Sequence, residues 1–532
     1  MSGIGFQATR RAALAAGLAG AGLAAFGARA QTGGAAAALD ALAREVMAAN
    51  PEQPAIALAV IENGEITLTK GYGVKKLGEP APADERTLFG IASNTKAMTA
   101  AALAMLVEEK KIEWDAPVTR YLPGFAMSDE TVGRLMTVRD LLVHRSGLSL
   151  GAGDLMLWPE PKNRARAELV AGMKHLPISG GFRSGYAYDN VLYVVAGEVV
   201  AAVSGMSWEE FVRTRIFAPL GMSDTLPSPE GLDPRRAAYP HARLGPPIRG
   251  VGAQKPLALD PQFGLAAAAG GVWTHAVDIA KWVRCQLLMG QGPNGRLWSE
   301  ASAREMWKPQ TITASTDGPT PGNPSRATIE AYALGWFVRD YRGERLLTHT
   351  GGLAGYISVT ALLPGRKSGL MVMTNAEEGS VLRAMRYGGL DRIQGRSDFD
   401  WTADSLRVQA KAREDAVETF KKTGSPVGGG KKPTLPLEAY AGVYRDPWYG
   451  TITVTKKGKA LAVSFDKSNG LAGSLEPFDG DTFRTRFANP DMEDALFTFE
   501  VKDGAVTGAT AKPLSPLADF SFDYQDLRLT RE

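Results

Sequence analysis

The apolar positions of this chain change their pattern three times, and each pattern predicts a different kind of element. Ala38 to Ala49 reads as a helix, after which the apolar run Ala55-Ile56-Ala57-Leu58-Ala59-Val60-Ile61 leads through Asn63-Gly64 into Ile66-Thr67-Leu68-Thr69. An Asn-Gly pair between two such runs predicts a β-hairpin, because both turn positions favour residues that tolerate positive φ. Helical stretches then dominate from Ser93 to about Met289, broken by loops rich in Gly and Pro. The first of them, rich in Ala, Leu and Met as far as about Glu109, predicts a buried helix. Strand character returns at 333–338, 357–363 and 369–374. Strands at both ends of a long helical middle predict one α+β unit, a sheet built from both termini with helices packed against it.

A helix over about Thr402 to Lys421 gives way to Thr423-Gly424-Ser425-Pro426-Val427-Gly428-Gly429-Gly430, a linker by composition. Residues 437–532 then show short alternating strands separated by turns such as Asp479-Gly480 and Asp503-Gly504, which predicts a small antiparallel barrel or sandwich. The expected organisation is a leader over 1–30, a first domain over 31–422, a linker over 423–436 and a second domain over 437–532.

The leader changes the picture of compartment and charge. Arg10 and Arg11 precede an apolar run from Ala12 to Gly27, and Ala28-Arg29-Ala30 fits a small-x-small cleavage site. This predicts a cleaved export signal, hence a periplasmic or secreted protein without a stable membrane anchor; the paired arginines match twin-arginine export only loosely. Losing Arg10, Arg11 and Arg29 lowers the basic count from 60 to 57, equal to the 57 acidic residues. A formally neutral protein gives no general reason to bind nucleic acid. The lone Cys285 lies in a helical run and reads as a core residue, and the five histidines show no metal-ligand spacing, so neither metal nor cofactor is expected.

The candidate chemistry centres on Ser93-Asn94-Thr95-Lys96 at the start of the buried helix. Serine becomes nucleophilic only beside a base, and a lysine shielded from water can lose its proton near neutral pH. Spacing alone also fits a capping serine and a solvated lysine. Tyr188-Asp189-Asn190 opens a second apolar helix, where a phenol could carry a proton and Asn190 could hold Lys96 or a substrate carbonyl; equally, Tyr-x-Asn arises by chance. His349-Thr350-Gly351-Gly352 lies between two expected strands, and an N–H near Gly352 could donate to an oxyanion, although an ordinary turn would read the same way. Leu141 to Leu148 is expected to close a helix that frames the pocket. Gly147-Leu148-Ser149-Leu150-Gly151 fits the Gly-x-Ser-x-Gly pattern, but no buried strand precedes it, so Ser149 reads as a loop residue.

Taken together and in this order, the three motifs resemble the serine β-lactamase and penicillin-recognising family, in the class C-like branch of esterases, D-aminopeptidases and related S12-type peptidases. The resemblance spans roughly 40–395 and includes Trp114-Asp115-Ala116-Pro117-Val118, Pro219-Leu220-Gly221-Met222 and Ala269-Gly270-Gly271-Val272-Trp273-Thr274. It implies a β-lactamase/transpeptidase-like antiparallel sheet flanked by helices. Ser93 would be the nucleophile, Lys96 and Tyr188 would share proton transfer, and Asn190, His349 and Gly352 would contact substrate. The C-terminal segment looks like the lipocalin-like domain often appended to such hydrolases. Penicillin-binding members carry lysine where this chain has His349, so the resemblance favours a peptidase, amidase or esterase over a β-lactamase. Expected partners are small peptide, amide or ester substrates, with linearised cyclic peptides such as microcystin as a narrower option. A penicillin-recognising sensor without turnover is the rival from another class, and oligomeric state stays open.

Overall fold

The computed structural model describes residues 34–159, 164–259, 264–423, 430–516 and 518–532. The expected leader and residues 424–429 of the expected linker lie outside the described residues. Eight strands form one antiparallel sheet: β1 (Ala55–Glu62), β2 (Glu65–Gly73), β3 (Thr311–Ser315), β4 (Ile329–Tyr332), β5 (Phe337–Tyr341), β6 (Glu344–Leu353), β7 (Tyr356–Leu363) and β8 (Ser368–Thr374). Their order across the sheet is β2-β1-β8-β7-β6-β5-β4-β3, so the N-terminal hairpin pairs with the last strand of the unit. Asn63 and Gly64 take φ of 51° and 83° at the hairpin turn, as the Asn-Gly signal requires.

The unbroken apolar run of β1 follows from burial on both faces. Ile56, Leu58 and Val60 pack with Leu39, Leu42 and Val46 of helix α1 (Ala35–Ala49) and with residues of the two C-terminal helices of this unit. Ala55, Ala57, Ala59 and Ile61 face the larger core, which includes helix α2 (Lys96–Glu108), helix α3 (Val191–Ser204) and helix α4 (Ala276–Leu287). Every residue of α2 from Lys96 to Leu106 is buried, which is why its sequence shows no polar stripe.

Three readings of the sequence need correcting. Ala333 to Trp336 lie outside the strands, and the strand there is Phe337–Tyr341. The His349 motif lies inside β6 and not between strands, while Thr311–Ser315 and Ile329–Tyr332 are strands that the pattern did not announce. Leu141–Leu148 closes no α-helix: a single turn at Asp140–Leu142 is followed by His144 with φ 54°. Among the described residues no single helix is long and apolar enough to cross a membrane.

The C-terminal strands close into an eight-stranded antiparallel barrel, from Gly442–Asp446 round to Leu529–Arg531, filled by aromatic side chains including Phe465, Phe483, Phe497 and Phe499. Its last loop reaches into the first unit. The buried Asp523 carboxylate accepts from the backbone N–H of Gly153 and of Leu155, both at 2.8 Å, and Asp526 accepts from Ser149 Oγ at 2.7 Å. Replacing Asp523 by Ala leaves two buried donors unpaired, at about 1–3 kcal/mol each. Thermal unfolding of Asp523→Ala should therefore show a clearly lowered midpoint; an unchanged midpoint would mean that these bonds do not hold the units together.

Candidate active site

Ser93 lies on a single helical turn, Ala92–Thr95, directly before α2, with Ala92 at φ 48°. The other residues of the motif fix that turn. Asn94 Nδ2 donates to Ser358 Oγ on β7 at 2.8 Å, and Asn94 Oδ1 accepts from Thr360 Oγ1 at 2.7 Å. Ser358 Oγ in turn donates to the carbonyl of Ile91 at 2.8 Å, and Thr95 Oγ1 accepts from the N–H of Val272. The serine is thus held by hydrogen bonds to both the sheet and the loop after Gly270.

Lys96 is wholly buried. Its Nζ lies 3.0 Å from Ser93 Oγ, 2.7 Å from Asn190 Oδ1 and 2.9 Å from the carbonyl oxygen of Ala269. The last two can only accept, so they take two N–H bonds; a neutral amine then has one lone pair left, and it faces the serine. Burial pulls the Lys96 pKa down to about 7, against the opposing pull of Asp154 and Asp189. The Tyr188 ring lies 4.8 Å from Nζ, and the phenol interacts with Ser93. Burial pushes the Tyr188 pKa well above its ordinary value, so the phenol keeps its proton.

Asn190 has its amide fixed from both sides, because Nδ2 donates to Asp154 Oδ2 at 2.8 Å. Asp154 is buried and its pKa is pushed up to about 7 by that burial, opposed by bonds from Asn190 and Ser521. Ser521 Oγ, from the barrel's last loop, donates to the same Oδ2 at 2.8 Å. A chain of hydrogen bonds therefore runs from the barrel through Asp154 and Asn190 to the lysine.

His349 is buried on β6, with Nδ1 2.6 Å from the Thr350 carbonyl and Nε2 2.8 Å from Tyr332 Oη. A carbonyl only accepts, so Nδ1 carries the hydrogen and Nε2 accepts from Tyr332. Burial and the nearby lysine take its pKa down to about 3, which makes it a neutral group at any ordinary pH. The adjoining glycines are matched to the serine turn. A Cβ on Gly351 would lie 2.2 Å from the Ile91 carbonyl oxygen, whereas one on Gly352 would meet nothing within 4 Å, so that edge stays open.

The structure thus brings Ser93, Lys96, Tyr188 and Asn190 into one cluster, with the His349–Gly352 strand alongside. His144 is buried against the Tyr188 ring, with centroids 4.1 Å apart, and lines the cluster from behind. Ser149 is a loop residue bonded to a barrel carboxylate, and Cys285 is a buried thiol. Sequence reasoning missed Asp154, Tyr332, Ser521 and the role of the Ala269 carbonyl. Ala269 stood in a segment already singled out, but a backbone oxygen leaves no signal of its own.

The family model described as Beta-lactamase matches residues 39–391. The chain belongs to the β-lactamase family of serine hydrolases. A second model, described as a domain of unknown function (DUF3471), matches 428–531, the region of the barrel. The hydrolase is 29% identical over 466 residues to the unguisins hydrolase ungD of Aspergillus violaceofuscus, covering 82% of this chain and 80% of that protein. It is 25% identical over 339 residues to Protein flp of Staphylococcus aureus strain N315, covering 63% of this chain and 62% of that one. Among solved structures, the octameric penicillin-binding protein homologue from Pyrococcus abyssi superposes with a TM-score of 0.56 at 20% identity, over 93% of this chain and 99% of that one. The D-amino acid amidase from Ochrobactrum anthropi SV3, in complex with D-phenylalanine, gives a TM-score of 0.54 at 25% identity, over 70% and 99%.

The close approach at Gly351 supplies a test of how tightly the strand positions the serine. Gly351→Ala forces β6 away from the Ser93 turn, and a displacement of about 1 Å can cost about 100-fold in rate. The variant should keep its far-UV circular dichroism and lose at least about 100-fold in kcat/KM toward a p-nitrophenyl ester. Wild-type kinetics would show that the strand does not set the serine's position.

Proposed function

We propose that this hydrolase cleaves amide bonds in short peptides through an acyl-enzyme on Ser93, and that the leader exports it to the periplasm or the medium. One observation carries the chemistry: the buried amine of Lys96 has acceptors for two hydrogens and a lone pair left facing Ser93 Oγ at 3.0 Å. Neutral Lys96 takes the hydroxyl proton as Ser93 attacks the carbonyl. The N–H groups of Ser93 and Gly352 hold the oxyanion, each donor contributing about 3–4 kcal/mol. Tyr188 donates its proton to the leaving amine and is reprotonated by the proton that Lys96 took from Ser93; Lys96, neutral again, then serves as base for the water that frees the acyl group.

The preference for an amide over a β-lactam rests on His349. Neutral at working pH, it offers no permanent cation for a substrate carboxylate. The likeness to a D-amino acid amidase supports the same choice. Esters, being easier substrates, serve to detect the acyl-enzyme. Incubation of purified protein with a p-nitrophenyl ester should give a burst of nitrophenol and an acyl adduct that intact mass spectrometry locates on Ser93. Ser93→Ala should show neither, and turnover by that variant would refute the reading.

The lysine also sets a pH dependence with a definite sign. Lys96 must be uncharged to act, so kcat/KM should rise as pH increases through about 7. The negative charge of Asp154 raises the Lys96 pKa, so Asp154→Asn should move this rise to lower pH. A rise that stays in place, or moves upward, would separate the profile from Lys96.

A further inference from the structure

Tyr188 is the proton donor of the proposed reaction, yet residues 186–189 belong to no helix or strand. No regular ladder of backbone bonds fixes such a segment, so its side chains point where neighbouring loops direct them. The neighbour here is the loop that follows the single turn at Asp140–Leu142. Backbone bonds join the two at three points. Arg183 N–H donates to the Arg145 carbonyl at 2.8 Å, Ala187 N–H to the His144 carbonyl at 3.0 Å, and Gly151 N–H to the Tyr188 carbonyl at 2.8 Å. The next N–H, that of Asp189, is taken by a side chain: it donates at 3.2 Å to Nδ1 of His144. The same imidazole lies against the Tyr188 ring, with centroids 4.1 Å apart and a tilt of 35°.

His144 takes φ 54°, a conformation uncommon for residues other than glycine, and from it offers both its carbonyl and its ring to the Tyr188 segment. Because Nδ1 accepts, the hydrogen of the neutral ring is on Nε2. That N–H is buried and has no hydrogen-bond partner among the described residues. An unpaired buried donor costs free energy. A phenylalanine would present a ring without that cost, but it would leave the buried Asp189 N–H with no acceptor there. The imidazole is therefore placed as an acceptor and not only as packing. Burial, with Lys96 and His349 nearby, pushes its pKa well below the ordinary value, so Nδ1 keeps its lone pair at working pH.

We infer that His144 is the positioning residue for the Tyr188 phenol: its ring accepts the Asp189 N–H and supports the phenol's face, and so holds the hydroxyl in reach of the leaving group. The inference rests on the general-acid role proposed above for Tyr188. His144 itself touches neither the reacting atoms nor the serine, and acts through the segment it holds.

The test is the dependence of acylation on the leaving group, read as kcat/KM of the full-length protein on the butyryl esters of p-nitrophenol and of ethanol. The p-nitrophenolate ion is stable enough to depart unprotonated, whereas ethoxide needs a proton from the enzyme. Tyr188→Phe should raise the p-nitrophenyl-to-ethyl ratio by about 100-fold, the low end of what a placed general acid contributes. His144→Phe keeps a ring and loses the acceptor, and should raise the same ratio at least about tenfold through a misplaced phenol. His144→Asn adopts positive φ readily and can still accept the Asp189 N–H, so it should fold and raise the ratio by less. Far-UV circular dichroism checks the fold of each variant. A raised ratio in Tyr188→Phe with a wild-type ratio in His144→Phe overturns the inference and leaves the general acid standing. Equal losses on both esters overturn it too, because they mark a purely structural role. Should His144→Phe not fold, a wild-type ratio in His144→Asn decides against the inference. A wild-type ratio in Tyr188→Phe itself removes the general acid and the inference together.

Discussion

An amine buried beside a hydroxyl is the constraint on which the rest of the site depends. Lysine in water is charged and cannot take a proton, and lysine in an apolar core without partners leaves its N–H groups unsatisfied. Lys96 avoids both conditions because two acceptors meet it from separate elements, Asn190 at the start of α3 and the Ala269 carbonyl. Those elements can close round the amine only if their backbones approach tightly. Gly197 of α3 is such a contact, since a Cβ there would come within 2.7 Å of Ala268 Cβ. The small residues of this region therefore position the amine as directly as the polar ones do.

The electrostatics follow from the same burial. Asp154 and Asp189 oppose the loss of charge on Lys96, while their own pKa values are pushed up to about 7. Burial thus disfavours the charged form of the lysine and of both carboxylates, while their mutual attraction favours it. Asn190 links them without adding a charge, since one end of its amide accepts from the lysine and the other donates to Asp154. An aspartate in its place would add a negative charge beside the amine and favour its protonated form.

Much of this was legible in the sequence, and the boundary of legibility has physical causes. The Asn63-Gly64 turn, the buried α2 and the closing strands Tyr356–Leu363 and Ser368–Thr374 announced themselves, because turn chemistry and continuous burial leave local marks. Ser93, Lys96, Tyr188 and Asn190 were found because their spacing sits at the starts of two apolar helices. Strand β3 was missed because an edge strand with one exposed side, Thr311–Ser315, carries no core pattern. Ser521 and Asp154 were missed for a different reason. They lie 367 residues apart, and a bond between two domains has no local sequence signal.

That bond bears on why the barrel is there at all. The barrel's interior is filled with buried aromatic rings, and such close packing argues for a rigid body. A rigid body that places Ser521 against Asp154 and Phe520 5.7 Å from the Tyr188 ring touches the Ser93–Lys96 cluster from outside the first unit. The same loop carries Asp523, whose two backbone contacts fix its position, so the loop cannot move without breaking bonds to Gly153 and Leu155. The barrel is then best understood as one wall of the site, built on a separate scaffold. Through Ser521, Asp154 and Asn190 that wall is also tied to Lys96, so a change in the barrel's last loop reaches the amine as well as the surface around it.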